Sequence, residues 1–223
     1  MVSSSNLTVI AVIPAYNEAR TVQAVVRAVL TQVSAVIVVD DHSSDATSDQ
    51  ARAGGAIVVR HQTNLGYDAS INDGFKEAAE RGAQVFLTID ADGEHDVGDI
   101  PRMLGPILSG AADIVAGQRP VTRHVAENVF ALYTRLRFGI KDPMCGFKVY
   151  RRDVYNTIGY FDSVKSIGTE LMLRGCARGF RLVSLPITLH GRKGGDASRF
   201  YHHALRGNFR VIQAMLRVLF IKA

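Results

Sequence analysis

Residues 85–96 read VFLTIDADGEHD, an apolar run that ends in a group of acids. The run has the length and composition of a buried strand, near residues 85–89. Asp90 and Asp92 are two apart, so their carboxylates point the same way in an extended segment, and Gly93 lets the chain turn so that Glu94 joins them. The stretch predicts a strand that ends at a cluster of carboxylates.

Two earlier apolar runs end in the same polar way. PAYNE follows residues 8–13, and DDHSSD follows residues 35–39. A further strand near 56–60 and helices near 18–30, 45–53 and 69–81 complete the pattern of βα units on a mainly parallel sheet. Because ligands bind beyond the carboxyl ends of such strands, the three polar ends should form one acidic rim.

The second half of the chain is less regular. We expect a helix near 98–108, a strand near 113–116, helical stretches, a strand near 181–189 and a final helix near 200–221. The 223 residues fit a single domain. Its expected parts are a first half (1–117) that holds the acidic strand ends, a second half (118–198) and a C-terminal amphipathic helix (199–223).

The composition is that of an ordinary globular protein, with 47% apolar and 21% charged residues. Cys145 and Cys176 are too few for a disulfide framework, which favours a reducing cytoplasm. The start of the chain has no basic segment followed by an apolar run, and no stretch has the length of a membrane span. We therefore expect a cytoplasmic protein.

The acidic rim predicts a metal site. Clustered carboxylates repel one another, and Mg²⁺ or Mn²⁺ relieves that repulsion, with substrate phosphates completing the coordination. Asp90 and Asp92 are the expected ligands, joined by Glu94. The alternative interpretation, solvated loop acids or helix caps, applies most to Asp45 and Asp96, which precede predicted helices.

Other nucleotide-binding and metal-binding classes fit the sequence less well. The first strand is not followed by G-x-G-x-x-G, by a P-loop or by a glycine-rich basic loop. The histidines do not have the spacing of a zinc site. No nucleic-acid-binding motif is present, so we expect no nucleic-acid partner.

The motifs together resemble the family 2 glycosyltransferases of GT-A fold, and among them the branch similar to dolichol-phosphate mannose synthases. The resemblance rests on VIPAYNE (12–18), VVDD (38–41) with Ser43 and Asp45, DAD (90–92), KDP (141–143), GF (146–147) and residues 194–199. A DxD motif alone is weak, but three motifs in order at predicted strand ends are specific. The resemblance implies an α/β GT-A domain with a mainly parallel central sheet flanked by helices.

The resemblance also implies the donor site. The residues assigned to donor binding are Pro14, Ala15, Tyr16, Glu18, Asp40, Asp41, Asp90 and Ala91, and those assigned to the metal are Asp90, Asp92 and Glu94. Tyr16 can stack on a base, and carboxylates accept hydrogen bonds from ribose hydroxyls. His42 stands where the family often has a small or acidic residue, so the base stays open, with GDP-mannose and UDP-glucose the leading donors.

Basic residues in the second half point to an anionic acceptor, because arginine recognises phosphate bidentately. The resemblance places Arg119 and residues 141–146 at a lipid-phosphate site, and residues 192–199 in a mobile acceptor loop. The residues assigned to catalysis are Asp92, Arg119, Lys141, Arg192, Ser198 and Arg199. Cys145 departs from the family, which commonly has a small hydroxyl residue there.

The C-terminal segment carries most of the positive charge. Residues 190–223 hold seven Lys or Arg and one Asp, a net charge of +6. On the final helix Arg206, Arg210 and Arg217 fall in one stripe, which we expect to contact an anionic membrane surface at a place separate from the acidic rim. If the helix only packs on the core, a membrane-anchoring partner protein is needed.

These observations lead to one expected function and two alternatives. We expect a metal-dependent, inverting transfer of mannose or glucose from a nucleoside diphosphate sugar to a polyprenyl (dolichyl-type) phosphate, at the cytoplasmic face of a membrane. Transfer to a glycan hydroxyl would instead require a general base, for which Glu170 and Asp142 are the candidates. The third possibility is a non-catalytic subunit that binds sugar nucleotides.

Overall fold

The computed structural model describes residues 7–120, 125–191 and 204–218. These residues form seven strands and eight α-helices. The strands are β1 (Val9–Ala15), β2 (Ala35–Asp40), β3 (Ile57–Arg60), β4 (Val85–Thr88), β5 (Ile114–Gln118), β6 (Lys148–Arg151) and β7 (Leu182–Pro186). The helices are α1 (Val22–Leu30), α2 (Thr47–Gly54), α3 (Tyr67–Glu80), α4 (Ile100–Leu108), α5 (Val125–Phe138), α6 (Arg152–Ile158), α7 (Glu170–Ala177) and α8 (Ala204–Val218).

The strands form one sheet in the order β3-β2-β1-β4-β6-β5-β7. β1 pairs in parallel with β2 and with β4, and β5 pairs in parallel with β7. β6 runs antiparallel between β4 and β5, in a region where the sequence pattern predicts only helical stretches. The expected single α/β domain with a mainly parallel sheet is confirmed, and β6 is the strand that the prediction missed.

The sheet order fixes where a ligand can bind. The chain moves outward from β1 to β2 and β3 on one side, and continues from β1 to β4 on the other. The register pairs Ala15 with Asp40 and Val12 with Thr88, so the carboxyl ends of β1, β2 and β4 lie together. Ligand sites in open α/β sheets lie at such a reversal of strand order.

The core has two layers, one on each face of the sheet. Alternate residues of β1 point to opposite faces: Val9, Ala11 and Ile13 pack with α1, α2 and α4, whereas Ile10 and Val12 pack with the helices of the other face. That second layer includes Ile71 and Phe75 of α3 and Val211 and Val218 of α8. The sheet is therefore covered on both faces, as expected for parallel strands.

The start of α1 differs from the prediction. The helix begins at Val22 rather than near residue 18, because the preceding backbone donors bond to other groups. Asn17 N donates to Ser43 Oγ (2.8 Å) and Glu18 N donates to Thr47 Oγ1 (2.8 Å). These bonds join the loop after β1 to the loop after β2.

The last described helix, α8, falls within the predicted range of 200–221. Its buried residues Val211, Ala214 and Val218 face the core, and the helix packs against α5. Among the described residues, no helix combines the length and apolar composition required to span a bilayer.

Candidate active site

A cavity of about 680 Å³ opens at the carboxyl ends of the strands. Five carboxylate side chains line it, those of Glu18, Asp68, Asp90, Asp92 and Glu94. Basic side chains line it as well, namely Arg119, Lys165, Arg210 and Arg217. The cavity therefore brings acidic and basic groups from distant parts of the sequence to a single space.

A smaller cavity of about 190 Å³ adjoins it. Pro14, Tyr16 and Ala91 line this second space, and Glu18, Tyr67, Asp90 and Asp92 line both cavities. Tyr16 is 40% exposed, and an aromatic ring at a cavity wall is a surface on which a base can stack. The predicted donor residues Pro14, Tyr16, Glu18, Asp90 and Ala91 thus lie together, whereas Ala15 is buried in the core and lines neither cavity.

Asp40 and Asp41 lie elsewhere in the same region. Asp40 is fully buried and accepts hydrogen bonds from Ser43 N (2.8 Å) and from the Ser48 hydroxyl, and Arg60 lies 3.4 Å away. Neither acid is among the residues that line the two cavities. Asp40 therefore organises the loop between β2 and α2.

Asp41 organises a different loop. Its carboxylate accepts hydrogen bonds from Leu65 N (2.7 Å) and Gly66 N (2.8 Å), and His61 Nδ1 lies 2.8 Å from it. The other ring nitrogen of His61 lies 3.0 Å from Asp73 Oδ2. Asp41 thereby fixes the turn that leads into α3 and places Tyr67 at the cavity wall.

Asp90 sits against the backbone of Gly146. A β-carbon at position 146 would lie 2.5 Å from Asp90 Oδ2, so only glycine leaves room for the carboxylate. Thr88 Oγ1 donates to Gly146 O (2.6 Å) and so holds this segment beside the end of β4. The sequence marks Gly146 only as part of the GF motif and of the segment 141–146, and its contact with Asp90 appears only in the structure.

His95 holds the other side of Asp90. Its Nε2 lies 3.1 Å from Asp90 Oδ2, and a carboxylate can only accept, so the ring donates. Burial raises the pKa of Asp90, but the hydrogen bond and charge of His95, helped by Arg119 and Lys148, bring that pKa below its usual value. Asp90 is therefore ionised at neutral pH.

Asp92 and Glu94 occupy a tight turn. Gly93 has φ +73°, and Glu94 N donates to Asp92 Oδ1 (3.0 Å). Glu94 O in turn accepts from His190 N (2.7 Å), which connects this turn to the segment leading to residue 191. Asp96 accepts from Gly98 N (2.8 Å) and so caps the 3₁₀ turn 97–99.

The carboxylate oxygens at the cavity suit a hard divalent cation, but they do not surround a position for one on all sides. Asp90, Asp92 and Glu94 offer carboxylate oxygens, the atoms that Mg²⁺ and Mn²⁺ prefer. Within residues 7–120, 125–191 and 204–218, however, no three His, Cys, Asp or Glu side chains are gathered closely enough to hold a metal by themselves. The site therefore has the chemistry of one in which water and substrate phosphate complete the coordination.

Arg119 follows β5 and is held by two buried carboxylates. Its Nε and Nη2 donate to Asp142 (2.8 and 2.9 Å), and Nη2 also donates to Glu127 (2.8 Å). Burial lowers the pKa of Arg119, but the two carboxylates raise it above its usual value. The guanidinium is therefore fixed at the cavity wall as a permanent cation.

The loop after α6 supplies residues that no local sequence pattern marks. Lys165 and Ile167 line the cavity in left-handed backbone conformations, φ +56° and +57°. Gly168 N donates to Asp68 Oδ1 (2.6 Å), and the buried Lys148 Nζ donates to Gly168 O (2.8 Å). Groups on α3 and β6 thus hold the loop in its strained shape.

α8 places its polar stripe at the cavity. Arg210, Gln213 and Arg217 line it, and Arg217 Nη1 donates to Lys165 O (3.1 Å). The expectation that this stripe lies apart from the acidic rim is wrong, because the other face of α8 packs on the core and turns the stripe inward. The side chain of Arg206 lies outside the described residues.

The remaining predicted residues are placed as follows. Lys141 is exposed and is not among the residues that line the cavities. Arg192, Ser198 and Arg199 lie outside the described residues. Cys145 is buried, with its sulfur 3.9 Å from Phe147 O, so its thiol points into the core.

The two candidate general bases are both buried and engaged. Glu170 is fully buried and accepts from Ser163 N and from Arg174 Nε, both at 2.6 Å. Asp142 is 3% exposed and binds Arg119 as described. Neither residue is among those that line the two cavities.

Several known proteins are similar to this chain. The model of the family "Glycosyl transferase family 2" matches residues 10–159. The undecaprenyl-phosphate mannosyltransferase of Micrococcus luteus is 31% identical, over 86% of this chain and 87% of its own. The polyprenol monophosphomannose synthase of Mycolicibacterium smegmatis is 30% identical, over 92% of this chain and 86% of its own.

A solved structure shares the fold. Glucosyl-3-phosphoglycerate synthase of Mycobacterium tuberculosis, in complex with Mn²⁺, uridine diphosphate and phosphoglyceric acid, superposes with a TM-score of 0.72. It is 19% identical in sequence and is matched over 99% of this chain and 81% of its own. This likeness bears on the fold, and it agrees with the expected GT-A architecture.

Proposed function

The chain belongs to glycosyl transferase family 2, and from that premise we propose that it transfers a hexose from a nucleoside diphosphate sugar to a polyprenyl phosphate. The transfer is metal-dependent and inverts the anomeric carbon. Mannose from GDP-mannose is the first donor to test, since two relatives are named for polyprenyl-phosphate mannosyl transfer, and UDP-glucose is the second.

The observation that best supports the proposal is that acidic and basic side chains line the same larger cavity. A sugar donor brings a diphosphate, which needs cationic neutralisation near Asp90 and Asp92. A phosphate acceptor is also anionic and needs cations of its own, which Arg210 and Arg217 supply, since the charge of Arg119 is offset by Asp142 and Glu127. A cavity that served only neutral sugar acceptors would have no use for these arginines.

The donor occupies the smaller cavity and its border with the larger one. Tyr16 stacks on the base, and Glu18 accepts hydrogen bonds from the nucleoside. Asp92 and Glu94, with Asp90 held by His95, would bind Mg²⁺ or Mn²⁺. When bound, the metal neutralises the leaving diphosphate.

The acceptor phosphate provides the nucleophile. One of its oxygens forms a bond to the anomeric carbon while the bond from that carbon to the diphosphate breaks, and the electron pair leaves with the nucleoside diphosphate. The phosphate is already ionised, so no side chain has to remove a proton. Arg210 and Arg217 orient the incoming phosphate and offset its repulsion from the donor.

The same geometry weighs against the two alternatives. Transfer to a glycan hydroxyl needs a base at the cavity, and the two candidates for that role, Asp142 and Glu170, are buried in ion pairs and line neither cavity. A non-catalytic subunit would not require the full set of Asp90, Asp92 and Glu94 at one cavity. Transfer to a lipid phosphate therefore fits best.

We assign different roles to three consecutive segments of the chain. Residues 1–117 hold the donor, residues 118–198 hold the acceptor, and residues 199–223 connect the site to the membrane. The enzyme works at the cytoplasmic face of a membrane, where an anionic surface or a membrane-anchoring partner protein brings it to the lipid. A nucleic acid has no part in this function.

A transfer assay tests the proposal directly. Purified protein is incubated with labelled GDP-mannose, UDP-glucose or UDP-N-acetylglucosamine, with Mn²⁺ or EDTA, and with polyprenyl phosphate or glycan acceptors. We expect label on the lipid phosphate with Mn²⁺ and none with EDTA. Asp92→Ala should abolish transfer while the protein stays folded, and label on the glycans alone would contradict the proposal.

A further inference from the structure

Two neighbouring helices carry most of the large apolar side chains that are exposed among the described residues. Ten large apolar side chains are exposed in the part of the chain that the structure describes, and seven of these belong to α5 and α8. We call these seven the apolar surface: Val125, Val129, Leu132 and Leu136 on α5, and Phe209, Ile212 and Leu216 on α8. A concentration of this kind marks an interaction site.

On α5 the apolar surface forms one stripe. Its four residues recur at helical spacing, every three or four positions, and so lie on one side of the helix. Ala126, Phe130 and Thr134, on the opposite side, are buried. The helix therefore has one apolar face in the core and a second that faces outward.

α8 divides into three stripes. At about 100° per residue, the exposed Phe209, Ile212 and Leu216 lie on one side, and the buried Val211, Ala214 and Val218 lie roughly opposite. The cavity-lining Arg210, Gln213 and Arg217 fall between them, about 100° from each. The cationic stripe is thus the border between the apolar surface and the core.

The two helices lie side by side. They pack against each other, and Ala126 N donates to Asn208 Oδ1 (3.0 Å) near the start of both. The two exposed stripes therefore belong to adjacent helices, one of which also forms a wall of the cavity.

Cations accompany the apolar surface. Arg135, Arg137 and Lys141 are exposed at the carboxyl end of α5, and Arg137 Nη1 donates to the hydroxyl of the half-buried Tyr133 (2.6 Å). Basic and tyrosine side chains at the edge of an apolar helix face complement the headgroup layer of an anionic bilayer.

We propose that the apolar surface docks on a lipid bilayer with anionic headgroups. With Phe209, Ile212 and Leu216 among the acyl chains, Arg210 and Arg217 lie at the depth of the headgroups, between the bilayer and the cavity. A polyprenyl phosphate then places its phosphate at these arginines while its tail stays in the membrane. This inference rests on the proposed function for the identity of that lipid.

The residues that contact the membrane in this proposal are not the arginines that the sequence alone predicts. The sequence alone predicts that the arginines hold the headgroups, whereas here they serve the reaction cavity and the apolar stripes hold the membrane. A second copy of this chain could also cover an apolar face. The exposed cations beside it favour an anionic bilayer over a like-charged copy.

Vesicle flotation with a matched control tests the surface. The surface variant carries Leu132→Gln, Leu136→Gln, Phe209→Gln and Ile212→Gln, all at exposed positions, so it should fold. The control is Leu108→Gln, whose side chain at the end of α4 is 57% exposed, as is that of Leu132. We expect the surface variant to bind phosphatidylglycerol vesicles at least about tenfold more weakly, and the control to bind like the parent.

A second measurement separates docking from chemistry. Transfer to a long-chain polyprenyl phosphate in vesicles should fall at least about tenfold in the surface variant, whereas transfer to a water-soluble short-chain phosphate should stay within about twofold. Equal vesicle binding by variant and parent, or no binding by the parent, would overturn the proposal. So would light scattering that shows a parent dimer and a monomeric variant.

The two proposals fail in different ways. If the parent glycosylates no lipid phosphate but vesicle binding still depends on the apolar surface, the membrane surface is supported and the acceptor assignment is wrong. If short-chain transfer occurs without vesicle binding, the acceptor assignment stands and the membrane surface is wrong.

Discussion

The position of Asp90 depends on the absence of a side chain at Gly146. The carboxylate oxygens lie where a β-carbon of residue 146 would be, and His95 holds them from the other side. Neither neighbour is itself expected to contact the donor. Both decide where the carboxylate of Asp90 can be.

The first prediction concerns Gly146→Ala. The added methyl group should displace Asp90, at an overpacking cost of about 1–3 kcal/mol in stability. Binding of Mn²⁺ with the nucleotide should weaken at least about tenfold, or about 1.4 kcal/mol, by isothermal calorimetry. Gly105→Ala is the control, because a β-carbon there meets no atom within 4 Å. Unchanged binding in Gly146→Ala would contradict this role.

Acids of similar appearance in the sequence have different surroundings. Asp40 and Asp41 follow a strand just as Asp90 and Asp92 do, but the first pair is enclosed by backbone and hydroxyl donors. Asp92 lies at both cavities. The roles proposed for Asp40 and Asp41 at the donor therefore act through the loops that they hold.

At the scale of a single element, the loop 165–168 is held by the carboxyl group of Asp68, which accepts hydrogen bonds from Ile167 N and Gly168 N. Burial and repulsion from Asp162 raise the pKa of Asp68 to about 6, although hydrogen bonds from Gly168 and Ile167 oppose the shift. The folded protein therefore binds this proton more tightly than the unfolded chain does. Asp68 then favours folding at low pH, and the contribution is lost as the pH rises through about 6.

The second prediction is a pH dependence of stability that involves Asp68. Relative to the parent, Asp68→Asn should gain on the order of 2 kcal/mol in unfolding free energy between pH 4 and pH 7, since an amide does not ionise. Urea unfolding at several pH values measures the difference. Asp113→Asn is the control: the hydrogen bond from Arg181 lowers the pKa of Asp113, so its contribution is lost only at pH values below the ordinary aspartate pKa, and its difference from the parent should stay nearly constant between pH 4 and pH 7. A constant difference between Asp68→Asn and the parent would contradict the prediction.

The role of α8 depends on which of its faces packs on the core. Three of its residues pack on the core, and this contact turns Arg210 and Arg217 toward the cavity. The link from Arg217 to Lys165 O joins α8 to the loop opposite. α8 and the loop 165–168 thus form one wall of the proposed acceptor site.

The third prediction tests that wall. Arg210→Gln with Arg217→Gln should raise the KM for a short-chain, water-soluble polyprenyl phosphate at least about tenfold, because each charge-assisted hydrogen bond contributes about 1.5–3 kcal/mol. The KM for the donor should change by less than about threefold. Arg52→Gln, an exposed arginine on α2 that pairs only weakly with Asp49, is the control. A higher KM for long-chain acceptors alone would mean that these arginines hold the membrane instead.

At the scale of the whole molecule, the sheet brings the site together. β1, β2 and β4 deliver the three acidic motifs to one edge, and the antiparallel β6 connects that edge to β5 and Arg119. A ligand between the two halves contacts residues from both. Its binding should therefore stabilise the domain as a unit.

The fourth prediction is a thermal shift of the whole domain. At a concentration of 100 times its Kd, the correct nucleoside diphosphate with Mn²⁺ should stabilise the protein by about 2.7 kcal/mol. For a chain of this size the Tm should rise by about 5–10 °C, in one transition. GDP and UDP are compared by differential scanning fluorimetry to identify the base. Asp92→Ala should remove the shift, and an equal shift without Mn²⁺ would contradict the metal site.

The order of the first elements and the acidic edge of the sheet could be predicted from the sequence. Alternating β-branched runs and helical periods are local patterns, and their lengths allow few arrangements. Polar residues directly after strands, such as Asp90 and Asp92, could be assigned to one edge because parallel strands end at the same edge. The family resemblance followed from the same residues, and the family match confirmed it.

Tertiary packing sets which side chains share the cavity and which face of α8 lines it. β6 is four residues long and buried between two strands, so it has no periodicity to detect. Lys148, Asp68 and Gly146 act on residues that are distant in sequence, and no local pattern shows such contacts. The amphipathic pattern of α8 marks its faces but not its neighbours, since packing against α5 and the core decides which stripe turns inward.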